Sequence, residues 1–205
     1  MEAEVRAKYL FLSLLQARVG SSLVSHLGHL APEAVLRTPA AELVERAKIS
    51  EKASQAFEEL QRAFDPDRMQ DRLSERGIEA LTPVDETYPK ALRSISDPPP
   101  ALFVKGAVPD VGCVALVGSR KASSTGTETA RALGRALSER GVCVVSGLAL
   151  GVDAAAHEGA LEAEGLTVGV LGCGIDVTYP TKYKRFRVAL PRTDLRGSHA
   201  PIRTD

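Results

Sequence analysis

Tryptophan is missing from this 205-residue chain, aromatic residues make up only 4% of it, and methionine occurs twice. Between residues 113 and 178 there is no aromatic side chain, so any stacking of bases there would fall to Tyr179, Tyr183 or Phe186. Net charge is missing too, since 26 Lys and Arg meet 26 Asp and Glu. The chain as a whole is therefore no polycation drawn to nucleic acid by bulk attraction. No apolar run approaches the roughly 20 residues of a membrane span, and the Met-Glu-Ala-Glu start lacks a basic signal-peptide region. The three cysteines, Cys113, Cys143 and Cys173, have no metal-ligand spacing and imply no disulfide framework. They read as small buried hydrophobes in a reducing compartment. A soluble, cytoplasmic protein with no metal, no cofactor and no membrane partner is expected.

What is present is ordinary globular material, 44% hydrophobic and 25% charged, long enough for one or two domains. The charge is unevenly spread: residues 113–180 hold five Lys and Arg against seven Asp and Glu, and residues 181–205 hold seven against two. Any basic surface is therefore local.

Residues 1–82 read as a small helical domain. Leu10, Leu14 and Leu15 recur at helical spacing before a break at Gly20, and Ser21 and Ser22 can cap a second helix carrying Leu23, Val24 and Leu27. Further helices are expected over 32–36, 39–47, 50–64 and 66–76, with Thr38 and Ser50 as N-caps and Pro39 at a first helical position. The turn at Val19-Gly20 looks like a helix-hairpin-helix turn, or equally a packing hairpin. Residues 83–112 follow as a connector: 83–109 hold six of the twelve prolines, which remove donors and fix φ. An edge strand is expected at Leu102–Lys105, with the connector packing along the next domain.

From residue 113 the pattern is strand, helix, strand, helix, strand. The strands are read at 113–117, 142–145 and 168–171, and the helices at Thr127–Arg140 and Asp153–Glu164. Ala130, Leu133, Ala136 and Leu137 are expected on the inner face of the first helix, and Arg131, Arg135 and Arg140 on a solvated one. Short crossovers of this kind make parallel strands, and continuous apolar runs point to helices on both faces of the sheet.

Each strand ends in a glycine turn: Gly118-Ser119-Arg120, Ser146-Gly147, and Gly172-Cys173-Gly174. Open parallel sheets collect ligands at this edge. The first turn places N–H groups at a helix start, where a phosphate is stabilised, and the forked guanidinium of Arg120 suits the same ligand. Lys121 is a weaker second candidate. The G-x-G-x-x-G spacing is absent, and Ser146-Gly147 stands where dinucleotide proteins carry an acidic residue for the ribose, which argues against NAD. Asp153 and His157 lie one helical turn apart, and the plain reading is a capping Asp that orients a satisfied His. Acid–base catalysis would need a nucleophile; Ser146 is the candidate, but no G-x-S-x-G elbow surrounds it. No catalytic residues are assigned.

In order and spacing, several phrases resemble the DNA-processing protein A (DprA/Smf) family. They are Tyr88-Pro89 with Leu92, Pro98 through Gly106, Val117 through Arg120, Ser146 through Asp153 with His157, and Gly172 through Asp176 with Tyr179-Pro180. The resemblance is strong over residues 83–180, and the helical domain is similar in kind to that family's sterile-alpha-motif-like domain. It implies a Rossmann-like parallel α/β domain over 113–205, preceded by a small all-α domain. It further implies a non-enzymatic protein that binds single-stranded DNA, protects incoming strands, loads RecA and dimerises through its Rossmann-like domain. Carried over, the phosphate-binding set would be Gly118, Ser119, Arg120, Lys121, Ser146, Gly147, Leu148, Ala149, Gly172 and Gly174, with Lys182 after the Tyr-Pro motif. After Pro180 the sequence departs from the family pattern, and truncation or a shifted reading frame near residue 181 is expected. Rival readings on related scaffolds are a phosphoribohydrolase-like nucleotide enzyme and a nucleotide-sensing module. The former carries Pro-Gly-Gly-x-Gly-Thr-x-x-Glu, which does not occur here.

Overall fold

A computed structural model describes residues 2–19, 27–39, 42, 50–172, 174–175 and 195–198. Apart from the tail, the chain divides into two compact units, one running through Phe103 and the other from Val104 to Ser198.

The first unit contains α1 (Glu2–Val19), α2 (Pro32–Arg37), α3 (Glu51–Ala63), α4 (Pro66–Glu75), β1 (Glu79–Leu81), α5 (Lys90–Arg93) and the first half of β2 (Leu102–Lys105). Local chemistry sets several of these boundaries. The Ser50 hydroxyl accepts from Ala53 N–H to start α3, and the Asp65 carboxylate accepts from Arg68 N–H ahead of Pro66 to start α4. Thr38 ends α2. The helix over 39–47 that it is expected to cap and the one begun at Ser21 lie outside the described residues, as does the Gly20 turn. The core gathers Phe11, Leu12, Leu15, Val35, Phe57 and Leu60, with Phe11 edge-on to Phe57 at 5.2 Å and to Phe64 at 5.4 Å.

The stretch expected as a connector ties into this unit through Phe103. Arg6 reaches the Asp85 carboxylate and the Ala80 carbonyl, and the buried Tyr88 hydroxyl donates to Pro99 O at 2.9 Å. Pro99 offers no N–H of its own, and its carbonyl finds its donor in a side chain.

The second unit carries β3 (Cys113–Ala115), α6 (Ser124–Ser138), β4 (Cys143–Ser146), α7 (Val152–Glu162), β5 (Thr167–Leu171) and β6 (Leu195–Ser198). Its strands lie parallel in the order β6-β5-β4-β3, with Val114 opposite Val144 and Val145 opposite Val168. β3 is shorter than expected, but Leu116 N–H still donates to Val145 O at 2.9 Å, so pairing runs on to the first glycine turn.

Three expectations are corrected. Consecutive crossovers between β3, β4 and β5 put α6 and α7 side by side on one face, over Val144, so helices do not cover both faces among the described residues. Cys113, Ala115, Val117 and Val170 are accordingly exposed. Cys143 is buried as expected, but Cys113 lies on the outermost strand and is exposed; Cys173 lies outside the described residues. The inner face of α6 also differs. Leu133 is 49% exposed, and Gly134 takes the inward place because the Ala156 backbone comes too near for any side chain.

Candidate nucleic-acid interface

The glycine turns after β3, β4 and β5 lie side by side at the carboxyl edge of adjacent strands. Gly118, Ser119, Arg120 and Lys121 are all exposed. The Ser119 hydroxyl accepts from Lys121 N–H at 3.1 Å, shaping the turn. α6 then begins with Ser123 as N-cap, its hydroxyl accepting from Gly126 N–H at 3.1 Å. That cap leaves the N–H groups of Ser124 and Thr125 at the exposed positive end of a fifteen-residue helix.

Charge separates the arginines. Arg131 pairs with Glu158 at 2.7 Å and Glu162 at 3.2 Å, Arg135 pairs with Glu139 at 2.9 Å, and Arg140 donates to Ala136 O at 2.8 Å. The charges of Arg131 and Arg135 on α6 are therefore offset by glutamates, and the Arg140 guanidinium is held against the helix end. Among the described residues, Arg120 and Lys121 make no ion pair, so their charge stays available beside the turn.

The second turn is built differently from expectation. Ser146 is buried, and its hydroxyl donates to Leu116 O at 2.5 Å, which joins the ends of β3 and β4. Gly147 N–H and Ala149 N–H donate inward to Asp153 Oδ2, at 3.1 and 3.4 Å. Between them Leu148 sits at φ +54, and its side chain lies on Gly169. Asp153 is thus not the N-cap of α7; Gly151 is, and the carboxylate reaches back into the preceding loop. Nor does Asp153 orient His157 by a hydrogen bond. The buried His157 Nδ1 meets Thr167 Oγ1 at 2.7 Å, and burial lowers its pKa to about 4, against the attraction of Asp153. Sequence spacing found Asp153 and His157 but missed Thr167, which comes from β5 and carries no local sign of its role.

At the third turn Gly172 is exposed with open space around it, whereas Gly174 is buried. Lys182, Tyr179 and Pro180 lie outside the described residues. Among the described residues no cluster of ligands could hold a metal ion, and no helix is long and apolar enough to cross a membrane.

A family model described as DNA recombination-mediator protein A matches residues 79–196, more than half of the chain. Protein Smf of Synechocystis is 36% identical over 131 residues, covering 60% of this chain and 32% of that protein. DNA processing protein DprA of Streptococcus pneumoniae is 42% identical over 106 residues, covering 51% of this chain and 37% of that protein. Its X-ray structure superposes with a TM-score of 0.71 at 27% identity, over 95% of this chain and 67% of that one. A Helicobacter pylori DprA structure, described as giving insight into its single-stranded DNA binding mode, has a TM-score of 0.52 at 32% identity, over 61% of this chain and 56% of that one. The chain spans about a third of the length of these curated relatives.

Proposed function

Because the chain belongs to the DNA recombination-mediator protein A family, we propose that it is a single-stranded DNA-binding protein that holds the phosphate backbone at the carboxyl edge of its parallel sheet. The observation that carries this reading is the contrast among its cations. Arg120 and Lys121 stand unpaired at the exposed glycine turn, while Arg131 and Arg135 of α6 are spent on neighbouring glutamates and Arg140, just past its end, on a carbonyl. Unpaired guanidinium and ammonium groups beside free helix-start amides bind phosphate oxygens without reading sequence. The ligand chemistry also fits the H. pylori relative, whose structure concerns single-stranded DNA.

The protein acts without catalysis in this reading, since the Ser146 hydroxyl is committed to Leu116 O and His157 is buried against Thr167. Loading of RecA on the bound strand, protection of incoming DNA, a homodimer through the Rossmann-like unit and a cytoplasmic location complete the proposal. The test is a titration of the 205-residue protein with fluorescent oligo-dT against mononucleotides. Salt-sensitive binding of the oligomer alone is expected; preference for a mononucleotide would favour the nucleotide-sensing reading, and turnover of one the enzyme.

A further inference from the structure

Asp153 is buried, and its carboxylate points inward, so it cannot itself touch a strand lying over the turns. Its Oδ2 instead accepts two main-chain N–H groups, from Gly147 and Ala149. A buried carboxylate satisfied in this way is a strong anchor, because charge-assisted bonds to backbone amides outweigh neutral ones. The anchored loop includes Leu148 in a left-handed conformation that a side chain ordinarily avoids.

From this anchor the loop leads directly to the first turn. Gly151, at φ +78, comes so close that a Cβ there would overlap the Ser119 carbonyl oxygen and stand 3.0 Å from the Arg120 carbonyl oxygen. Val152 N–H then donates to Ser119 O at 3.2 Å. The Val152 side chain fills the space at Gly118, where a Cβ would be 2.8 Å from its Cγ2. Gly118, Ser119 and Arg120 therefore rest, through backbone and close packing, on a loop whose other end is fixed by one carboxylate.

We propose that Asp153 is a positioning residue for the DNA-binding turn: it fixes the Gly147–Ala149 loop, and that loop sets the backbone from which Arg120 projects. The proposal rests on the reading that Arg120 contacts DNA phosphate, and it adds a residue that acts only through Arg120.

A double-mutant cycle tests it, with Asp153→Ala, Asp153→Asn and Arg120→Ala measured singly and combined by oligo-dT anisotropy, alongside amide hydrogen exchange. Asp153→Ala should weaken binding about tenfold in the wild-type background and have little effect in Arg120→Ala, because coupled residues are not additive. Asp153→Asn keeps one acceptor oxygen and should fall between; it carries the comparison if the alanine variant does not fold. Exchange at Gly147, Ala149 and Val152 should speed up in both variants while the rest of the sheet stays protected. Equal weakening in both backgrounds, or unchanged exchange at those three amides, overturns the proposal. Failure of the wild type to bind oligo-dT would instead overturn the DNA reading, and the exchange data would still decide whether Asp153 holds the loop.

Discussion

His157 on α7 and Thr167 on β5 are joined by a 2.7 Å hydrogen bond whose direction the surroundings fix. The Thr167 hydroxyl donates to Val144 O at 2.8 Å, so it accepts from His157, and the imidazole carries its proton on Nδ1. Nε2 is then buried without a well-aligned partner among the described residues, and burial opposes its protonation more strongly than the Asp153 charge and the Ser146 backbone favour it. Protonating it would place a charge in the core between helix and sheet, which is why burial lowers the His157 pKa to about 4.

The pH consequence follows from the sign of that shift. A base whose folded pKa lies below its unfolded value of about 6.5 binds protons more readily when unfolded, so stability rises with pH across that interval. The His157 contribution is complete above about pH 6.5 and is lost progressively as the pH falls to about 4, by up to about 3 kcal/mol. His157→Asn can keep a donor near the Nδ1 position while removing the titration. Thermal melts of both proteins between pH 4 and 7 should show the steeper loss in the wild type; parallel curves would rule out a buried neutral imidazole.

Packing of the two helices offers a second prediction. At Gly159 a Cβ would overlap the Arg131 carbonyl, and at Gly134 it would overlap that of Ala156. Both obstacles are backbone, which cannot swing aside as a flexible side chain can. Gly159→Ala and Gly134→Ala should each destabilise the second unit by about 1–3 kcal/mol or more, although alanine is the better helix former by about 1 kcal/mol. A raised melting temperature for either variant would show that α6 and α7 are less closely apposed.

These same contacts mark how much was legible in the sequence. Caps such as Ser50, and the βα rhythm from 113 to 171, are local chemistry and could be read directly. Hydrophobicity and helical period place Leu133 in the core, yet Gly134 faces α7, since close approach of two backbones selects for the missing side chain. Cys113 was expected inside on composition, but exposure depends on strand order, and β3 lies outermost. At the candidate site, the exposed Gly118–Lys121 turn was visible as a motif. The diversion of the Gly147 and Ala149 amides to Asp153 was not, because only a folded loop shows which way its N–H groups point.

In the first unit, Asp85 joins three donors: Oδ2 accepts from Thr82 N–H at 2.6 Å and from the Thr82 hydroxyl at 2.8 Å, and Oδ1 pairs with Arg6. Asp85→Ala would take the carboxylate from the Thr82 amide and from a half-buried guanidinium whose remaining partner is the Ala80 carbonyl. A loss of about 2–3 kcal/mol is expected by denaturant titration. Asp85→Asn should lose less, as its oxygen still accepts from Thr82. Equal stability of all three proteins would show that water replaces the carboxylate at no cost.

Binding should separate arginines that look alike in sequence. Arg120 and Arg131 both lie in exposed positions of the same βα unit, but Arg131 is held by Glu158 and Glu162. Releasing it to a phosphate would break two ion pairs, whereas Arg120 has none to break among the described residues. Each phosphate contact on a single strand contributes about 0.7 to the slope of log affinity against log salt. Arg120→Ala should therefore weaken oligo-dT binding at low salt and flatten that slope by about 0.7, and Arg120→Glu should weaken it further by repelling the backbone. Arg131→Ala should leave both affinity and slope unchanged and cost less than about 1 kcal/mol in stability, as exposed ion pairs do. Lys121→Ala should resemble Arg120→Ala in kind but be smaller, because an ammonium meets phosphate as a point charge, without the guanidinium's two-pronged fit. If Arg131→Ala flattens the slope as much as Arg120→Ala does, the strand runs across the outer face of α6 and not over the glycine turns.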